Sequence, residues 1–322
     1  MKAAVLYKPG GPENFVVEER PVPAAGAGQV LIKVKAFGLN RSELMTRKGF
    51  SPNVKFPRIL GIECVGEVEV DPSGEFIKGQ PVAALMGEMG RLYDGSYAEY
   101  TVLPKSIVFP FTSRLPWEQL GAFPEMFQTT YGSLYLALKI AHGEKLLVRG
   151  GTSSIGMLAT QLAKNSGLTV IATTRSAVKE DILRKNGADE VLIDDGKLAD
   201  AIHAKFPEGV DKVLELVGIP TLRDSLQCVK PGGTVCMTGM LSEQWSVKDF
   251  SPMEFIPSTV NLTVYDSGGT KVDSRHFQNF IDDAEAGKIS LNVSRVFTLD
   301  QIREAHQLMD SNTATGKIVV VP

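Results

Sequence analysis

Lys145-Leu146-Leu147-Val148-Arg149-Gly150-Gly151-Thr152-Ser153-Ser154-Ile155-Gly156 is the stretch whose reading decides the fold. Its first five residues are a short, mostly apolar run. Ile155, Leu158, Ala159, Leu162 and Ala163 then recur at helical spacing, so the pattern predicts strand, glycine turn and a helix over 154–165. Small residues stand where a phosphate has to approach the backbone: Gly151 first, Ser153 second, Gly156 third. The N–H groups of such a helix start face an anion with the positive end of the helix dipole behind them. Gly151, Thr152, Ser153, Ser154, Ile155 and Gly156 are therefore candidate cofactor-binding residues. Ser153 replaces the middle glycine of the usual G-x-G-x-x-G, and glycine-rich strand-to-helix turns also arise for packing alone. The continuation favours the nucleotide. The helix stops at Gly167, 168–173 reads as a buried strand, and Thr174-Arg175-Ser176 opens the next helix, which completes a βαβ unit of the right length. An acidic residue at the tip of that second strand would bind both ribose hydroxyls and repel a 2′-phosphate. Here it is Thr174, followed by Arg175, Ser176 and Lys179, which offer two cations and a hydroxyl to the extra phosphate of NADPH.

With 322 residues the chain can hold two domains, each with a core. A net charge of −3 gives no electrostatic footprint for nucleic acid or an anionic membrane. No apolar run approaches the length of a membrane span, and the apolar part of Met1-Lys2-Ala3-Ala4-Val5-Leu6-Tyr7 is too short for a signal peptide, so a cytoplasmic protein is expected. Cys64, Cys228 and Cys236 are far apart and form no C-x-x-C, which argues against a disulfide framework or a zinc knuckle.

Residues up to about 110 read as β-rich, with strands predicted over 2–6, 15–20, 29–36, 64–70, 81–86 and 95–102. Asn40-Arg41-Ser42-Glu43 is predicted to cap a short helix that ends near Gly49, with the Asn40 side chain as cap and Glu43 in the first turn. A helical join runs over 116–141. Beyond the nucleotide unit come strands at 210–216 and 234–238, a helix at 222–229 and a last strand at 262–266, making a parallel sheet of about six strands with right-handed crossovers. The remaining segment, with helices at 277–286 and 299–309 and a strand at 317–321, is too short to bury a core and is expected to return to the first domain. The fold class is α/β, and the expected domains are 1–115, 116–268 and 269–322, the last rejoining the first.

From end to end the sequence resembles the zinc-independent medium-chain dehydrogenases/reductases of the quinone oxidoreductase type. The resemblance is carried by Gly38-Leu39-Asn40-Arg41-Ser42-Glu43, Gly61-Ile62-Glu63-Cys64-Val65-Gly66-Glu67-Val68, Gly95-Ser96-Tyr97-Ala98-Glu99-Tyr100, the glycine turn, Ala305-His306 and Gly316-Lys317-Ile318-Val319-Val320. It implies a GroES-like β domain interrupted by a Rossmann domain, with the active site in the cleft between them. Zinc-dependent members place a Cys where Asn40 stands and a His where Ile62 stands; an isoleucine ligates nothing. Residues 87–95 hold no cysteine, and His142, His203, His276 and His306 lack ligand spacing, so no metal is expected. The resemblance also puts Ser176 and Lys179 on the 2′-phosphate of NADPH and Asn40 and Thr129 beside the nicotinamide, although Thr129 also reads as a helix-packing residue. Asp194 stands where a tyrosine is frequent, and a carboxylate there would oppose NADPH unless turned away. Gly218 and Gly239, at strand ends, allow close approach of the nucleotide or answer to packing.

There is no metal to polarise an alcohol oxygen and no Ser-Tyr-x-x-x-Lys base, so alcohol oxidation is poorly served. Reducing a quinone or an α,β-unsaturated carbonyl (enone) needs an oriented nicotinamide and charge stabilisation at the acceptor oxygen, for which Asn40, Arg41 or a backbone N–H qualifies. The expectation is an NADPH-dependent reductase of such small molecules. The alternatives are an enoyl-thioester reductase and a non-catalytic, crystallin-like NADPH-binding protein. A homodimer is expected, paired through the 262–266 edge strand.

Overall fold

The computed structural model describes residues 1–268 and 273–322. The chain divides into two compact units, Met1–Phe127 with Lys271–Pro322, and Gln128–Thr270.

The first unit begins with β1 (Lys2–Leu6), β2 (Phe15–Glu19), β3 (Gln29–Leu39), α1 (Arg41–Lys48), β4 (Arg58–Ile59), β5 (Glu63–Val70), β6 (Pro81–Leu85), β7 (Tyr100–Pro104) and β8 (Val108–Pro110), followed by α2 (Trp117–Leu120) and α3 (Phe123–Tyr131). Strands β2, β1 and β4 form a small sheet, while β3, mostly buried along its eleven residues, is the spine of a larger one. Along that spine β5 and β7 pair antiparallel. The 95–102 strand of the sequence reading starts only at Tyr100. At Gly95 a Cβ would lie 2.1 Å from the Gly61 carbonyl oxygen, so two backbones touch there and the regular ladder is excluded.

In the second unit come β9 (Lys145–Arg149), α4 (Ser154–Asn165), β10 (Thr169–Thr174), α5 (Glu180–Lys185), β11 (Glu190–Ile193), α6 (Ala199–Lys205), β12 (Val210–Glu215), α7 (Ile219–Gln227), β13 (Val229–Met237), α8 (Pro252–Phe255) and β14 (Asn261–Val264). The strand order is β11-β10-β9-β12-β13-β14, parallel throughout. This is the doubly wound order whose ligand crevice lies at the carboxyl ends of β9 and β12, where the winding reverses. Leu147, Ile171, Val213, Leu222, Leu226 and Val235 make the core on one face, and α4 buries Met157, Leu158, Ala159, Leu162 and Ala163 on its own strip. The helical join predicted over 116–141 is broken: after α3 the chain makes a turn of π-helix over Gly132–Ala137. A Cβ on Gly132 would fall 1.9 Å from the Tyr265 ring, so the wider helix begins where an aromatic ring takes the space.

The chain then returns to the first unit with α9 (Ser274–Glu285), β15 (Val293–Thr298), α10 (Ile302–Asp310) and β16 (Lys317–Val321). Strand β16 pairs antiparallel with β3, matching Ile318 to Leu39 and Val319 to Gly38, and β15 adds parallel outside it. Strand β15 is absent from the sequence reading because only Phe297 of its residues is buried, leaving no alternation to detect. Among the described residues no helix is long and apolar enough to cross a membrane.

Candidate functional site

In the glycine turn several backbone N–H groups have internal partners. Gly150 N–H donates to Thr173 Oγ1 at 3.0 Å and Gly151 N–H to the Thr173 carbonyl at 3.0 Å. Ser153 is the helix N-cap: its hydroxyl accepts from Gly156 N–H at 3.1 Å and donates to the Gly150 carbonyl at 2.9 Å. A serine at the middle position thus turns back onto the helix instead of projecting at a ligand. The N–H groups of Thr152, Ser154 and Ile155 have no internal partner among the described residues and form the anion-binding set. Gly156 cannot be larger, since its Cβ would lie 2.5 Å from the Gly150 carbonyl oxygen. A diphosphate therefore fits this turn, whose donors are open and whose Gly156 permits the tight approach of helix to strand. At the ends of β12 and β13, Gly218 has φ 107° and a Cβ on Gly239 would meet the Leu216 carbonyl oxygen at 2.5 Å. Gly218 answers to its positive φ, and Gly239 to the close approach of the Leu216 backbone.

At the β10 tip, the buried Thr174 hydroxyl accepts from Ser176 N–H at 3.2 Å and so belongs to the loop. Arg175 is exposed, and Ser176 and Lys179 are half-buried. Asp194 does not stand open beside them. Its two oxygens take Arg149 Nε and Nη2, each at 2.9 Å, and the side chains of the pair are 0% and 6% exposed. Burial acts to lower the Arg149 pKa, but the hydrogen bond and charge of Asp194, with Glu215 and Asp224, outweigh it and hold the guanidinium above its usual range. Sequence reasoning missed Arg149, which stands in an otherwise apolar run. An arginine at the end of a buried parallel strand is the available signal, since such a charge requires a carboxylate.

Of the residues assigned to the nicotinamide end, Thr129 lies in α3, is 7% exposed, and its carbonyl accepts from Ser133 Oγ at 2.6 Å. Asn40 and Arg41 belong to the first unit. Asn40 has the extended backbone of an N-cap, yet its side chain caps nothing. Its amide donates to Glu63 Oε1 at 2.9 Å and to Glu43 Oε1 at 3.3 Å, and its oxygen accepts from Lys317 Nζ. The Asn40 amide is thus directed at two carboxylates of its own unit. The cap fails because the oxygen that would accept a helix N–H is taken by the Lys317 ammonium, while the two carboxylates hold the amide nitrogen. Arg41 reaches Asn312.

Asn40 thus opens onto a buried ionic cluster that the sequence reading did not find. Lys317, 1% exposed, lies 2.7 Å from Glu63 Oε1 and 3.4 Å from Glu125 Oε2. Burial works against the Lys317 charge, but Glu63 and Glu125 hold its pKa above the usual lysine value. Glu63, itself 0% exposed, also accepts the Glu125 N–H at 2.7 Å. Glu43 takes the Ile62 N–H at 3.1 Å, while its second oxygen is buried without a partner. Burial first, and the neighbouring Glu63 charge second, push the Glu43 carboxyl up to about 8. Gly38 is required beside this cluster, because a Cβ there would lie 2.3 Å from Lys317 Cε and 2.4 Å from Glu63 Oε1.

Among the described residues no three His, Cys, Asp or Glu side chains are grouped as a metal site. Ile62 is a buried apolar side chain, and His306 packs 4.7 Å from the Phe15 ring with its Nε2 3.2 Å from the Tyr97 hydroxyl. Burial holds the His306 pKa well below the ordinary imidazole value.

The family of alcohol dehydrogenase GroES-like domains matches residues 26–113, and the zinc-binding dehydrogenase family matches residues 186–320. The quinone oxidoreductase of Homo sapiens is 27% identical over 100% of this chain and 98% of that protein. Acryloyl-coenzyme A reductase of Sulfurisphaera tokodaii is 28% identical over 100% of both. Among solved structures, a mycobacterial protein complexed with NADPH superimposes with a TM-score of 0.89 at 26% identity, over 100% of both chains. With a GroES-like unit and a parallel, doubly wound unit that presents a diphosphate turn, the molecule is a nicotinamide-dinucleotide oxidoreductase. The chain belongs to the medium-chain dehydrogenase/reductase family, in its zinc-independent, quinone oxidoreductase type.

Proposed function

We propose that the protein is an NADPH-dependent reductase that adds hydride to quinones or α,β-unsaturated carbonyl compounds without a metal. The observation that carries the cofactor choice is the Arg149–Asp194 pair: with that carboxylate engaged by a cation, it no longer opposes a 2′-phosphate held by Arg175, Ser176 and Lys179. When bound, the cofactor supplies the hydride. The chain holds the diphosphate on the Thr152, Ser154 and Ile155 N–H groups and the 2′-phosphate on Ser176, Lys179 and Arg175. Addition to a conjugated acceptor leaves an enolate or phenolate, an anion that hydrogen-bond donors alone stabilise, whereas a plain alkoxide needs a stronger electrophile than these side chains offer. Arg41 and Thr129 are the candidate catalytic groups. Asn40 holds its part of the chain in place. The names of the relatives, a quinone reductase and a reductase of a conjugated thioester, support this acceptor class.

In the test, NADPH oxidation is stimulated by small quinones or enones, and simple alcohols with NADP⁺ give no detectable turnover. Lys179→Ala raises the Kd for NADPH roughly ten- to hundredfold through loss of a charge-assisted contact of about 1.5–3 kcal/mol, and leaves NADH almost unchanged. Equal losses for both cofactors would make Lys179 structural. Binding without turnover across the panel would favour a binding protein, and selectivity for coenzyme A thioesters an enoyl-thioester reductase.

The same reading includes a homodimer formed through β14, the edge of the parallel sheet. The edge is shorter than the sequence suggested. Tyr265 N–H turns in to the Met237 carbonyl and its ring is buried, which removes 265–266 from the exposed strand. Val264, 67% exposed, directs its own N–H outward by strand alternation. Val264→Pro should therefore spare the ladder to β13 and shift the mass in light scattering from dimer to monomer. A monomeric wild-type protein at micromolar concentration would remove the dimer from the proposal.

A further inference from the structure

Asp194 N–H donates to the Thr174 carbonyl at 2.8 Å, so this carboxylate neighbours the strand tip that precedes Arg175, Ser176 and Lys179. An uncompensated anion at that place opposes a 2′-phosphate. Arg149 compensates it with two parallel bonds, the arrangement that best matches a carboxylate. The other end of the guanidinium is equally committed: Nη1 lies 2.7 Å from Asp224 Oδ2, 3.0 Å from Ser225 Oγ and 3.1 Å from the Thr221 carbonyl. Arg149 is 0% exposed, so its influence passes through Asp194 and not through contact with a ligand. Gly196 N–H, donating to Asp194 Oδ1 at 2.9 Å, fixes the carboxylate without cancelling its charge.

We propose that Arg149 determines cofactor specificity as a positioning residue: by pairing with Asp194 it masks the buried carboxylate at the β11 tip and so admits a dinucleotide with a 2′-phosphate. The inference rests on the NADPH reading above. It makes cofactor choice depend on a residue ahead of the glycine turn, inside the sheet, in addition to the cations on the loop.

Binding of NADPH and NADH to the whole protein, followed by titration of intrinsic fluorescence, provides the test. Arg149→Met should lower the NADPH-over-NADH affinity ratio at least tenfold, because Asp194 and Asp224 are left without their cation. The double variant Arg149→Met, Asp194→Asn should restore the ratio to within about threefold of wild type. A purely structural role would weaken both cofactors alike and would show no such recovery. Where Arg149→Met does not fold, Asp194→Asn alone is decisive: it raises the charge of the cluster by one and should move the ratio several-fold toward NADPH. Unchanged ratios in the folded variants, with wild type preferring NADPH, overturn this inference alone. A wild-type preference for NADH overturns the cofactor reading beneath it.

Discussion

Lys317→Met is expected to destabilise the protein by about 3–5 kcal/mol, read from the urea midpoint, because it leaves Glu63 buried with no cation. Methionine is close to lysine in length, so the loss is one of charge more than of volume. The site has no slack for compensation: Lys317 Nζ is shared among Glu63 at 2.7 Å, Glu125 at 3.4 Å and the Asn40 oxygen, with Gly38 packed against its stem. Adding Glu63→Gln to the Lys317→Met variant should recover a large part of the loss, since the uncompensated charge goes with it. A loss below about 1 kcal/mol for the single variant would mean that water reaches this cluster and screens it.

The second expected effect is a fall in stability as pH rises. Glu43 has a carboxyl that titrates near 4.5 in its ordinary state and at about 8 in the fold. Below pH 4.5 both folded and unfolded chains carry the proton, and the contribution to stability is at its full value. As pH rises through 4.5 the unfolded chain releases its proton while the folded one retains it, so stability falls with each further unit until the folded carboxyl also ionises near 8. Glu43→Gln removes that dependence. Between pH 6 and 9 wild type should lose about 2–3 kcal/mol relative to the variant, measured by denaturant unfolding at each pH. The slope is the test, because any cost of placing an amide at the partnerless second oxygen is the same at both pH values. Parallel profiles for the two proteins would show that Glu43 is ionised in the fold.

What the sequence disclosed and what it hid follow from one distinction. The glycine turn is legible because its demands are local: Gly156 has to be small to pass the Gly150 carbonyl, and the alternation of buried strands and amphipathic helices repeats every few dozen residues. Even the departure at Ser153 has a local cause, the cap it supplies to Gly156. The charged clusters are not local. Asn40 and Lys317 are 277 residues apart in sequence, and Arg149 and Asp194 are 45 apart, so no window of sequence contains either pair. What does show in sequence is the isolated charge inside an apolar run, at Arg149 before the glycine turn and at Lys317 before Ile318-Val319-Val320. A charge in such a run indicates that a partner exists without indicating which one. Asn40 was misread for a related reason. Its backbone does take the N-cap conformation, and tertiary partners, the Lys317 ammonium on its oxygen and the Glu63 carboxylate on its nitrogen, redirect the side chain.

The place of β16 bears on how the molecule is made. Strand β16 lies between β15 and β3, and it brings Lys317 to carboxylates at positions 43, 63 and 125. On a ribosome those acids emerge first, the whole of 128–270 follows, and only then does the neutralising ammonium arrive. The nucleotide-binding unit, drawn from one continuous stretch, can mature during synthesis, whereas its partner waits with an unfinished sheet and without the ammonium that Glu63 faces. The unit that starts first is therefore the one completed last.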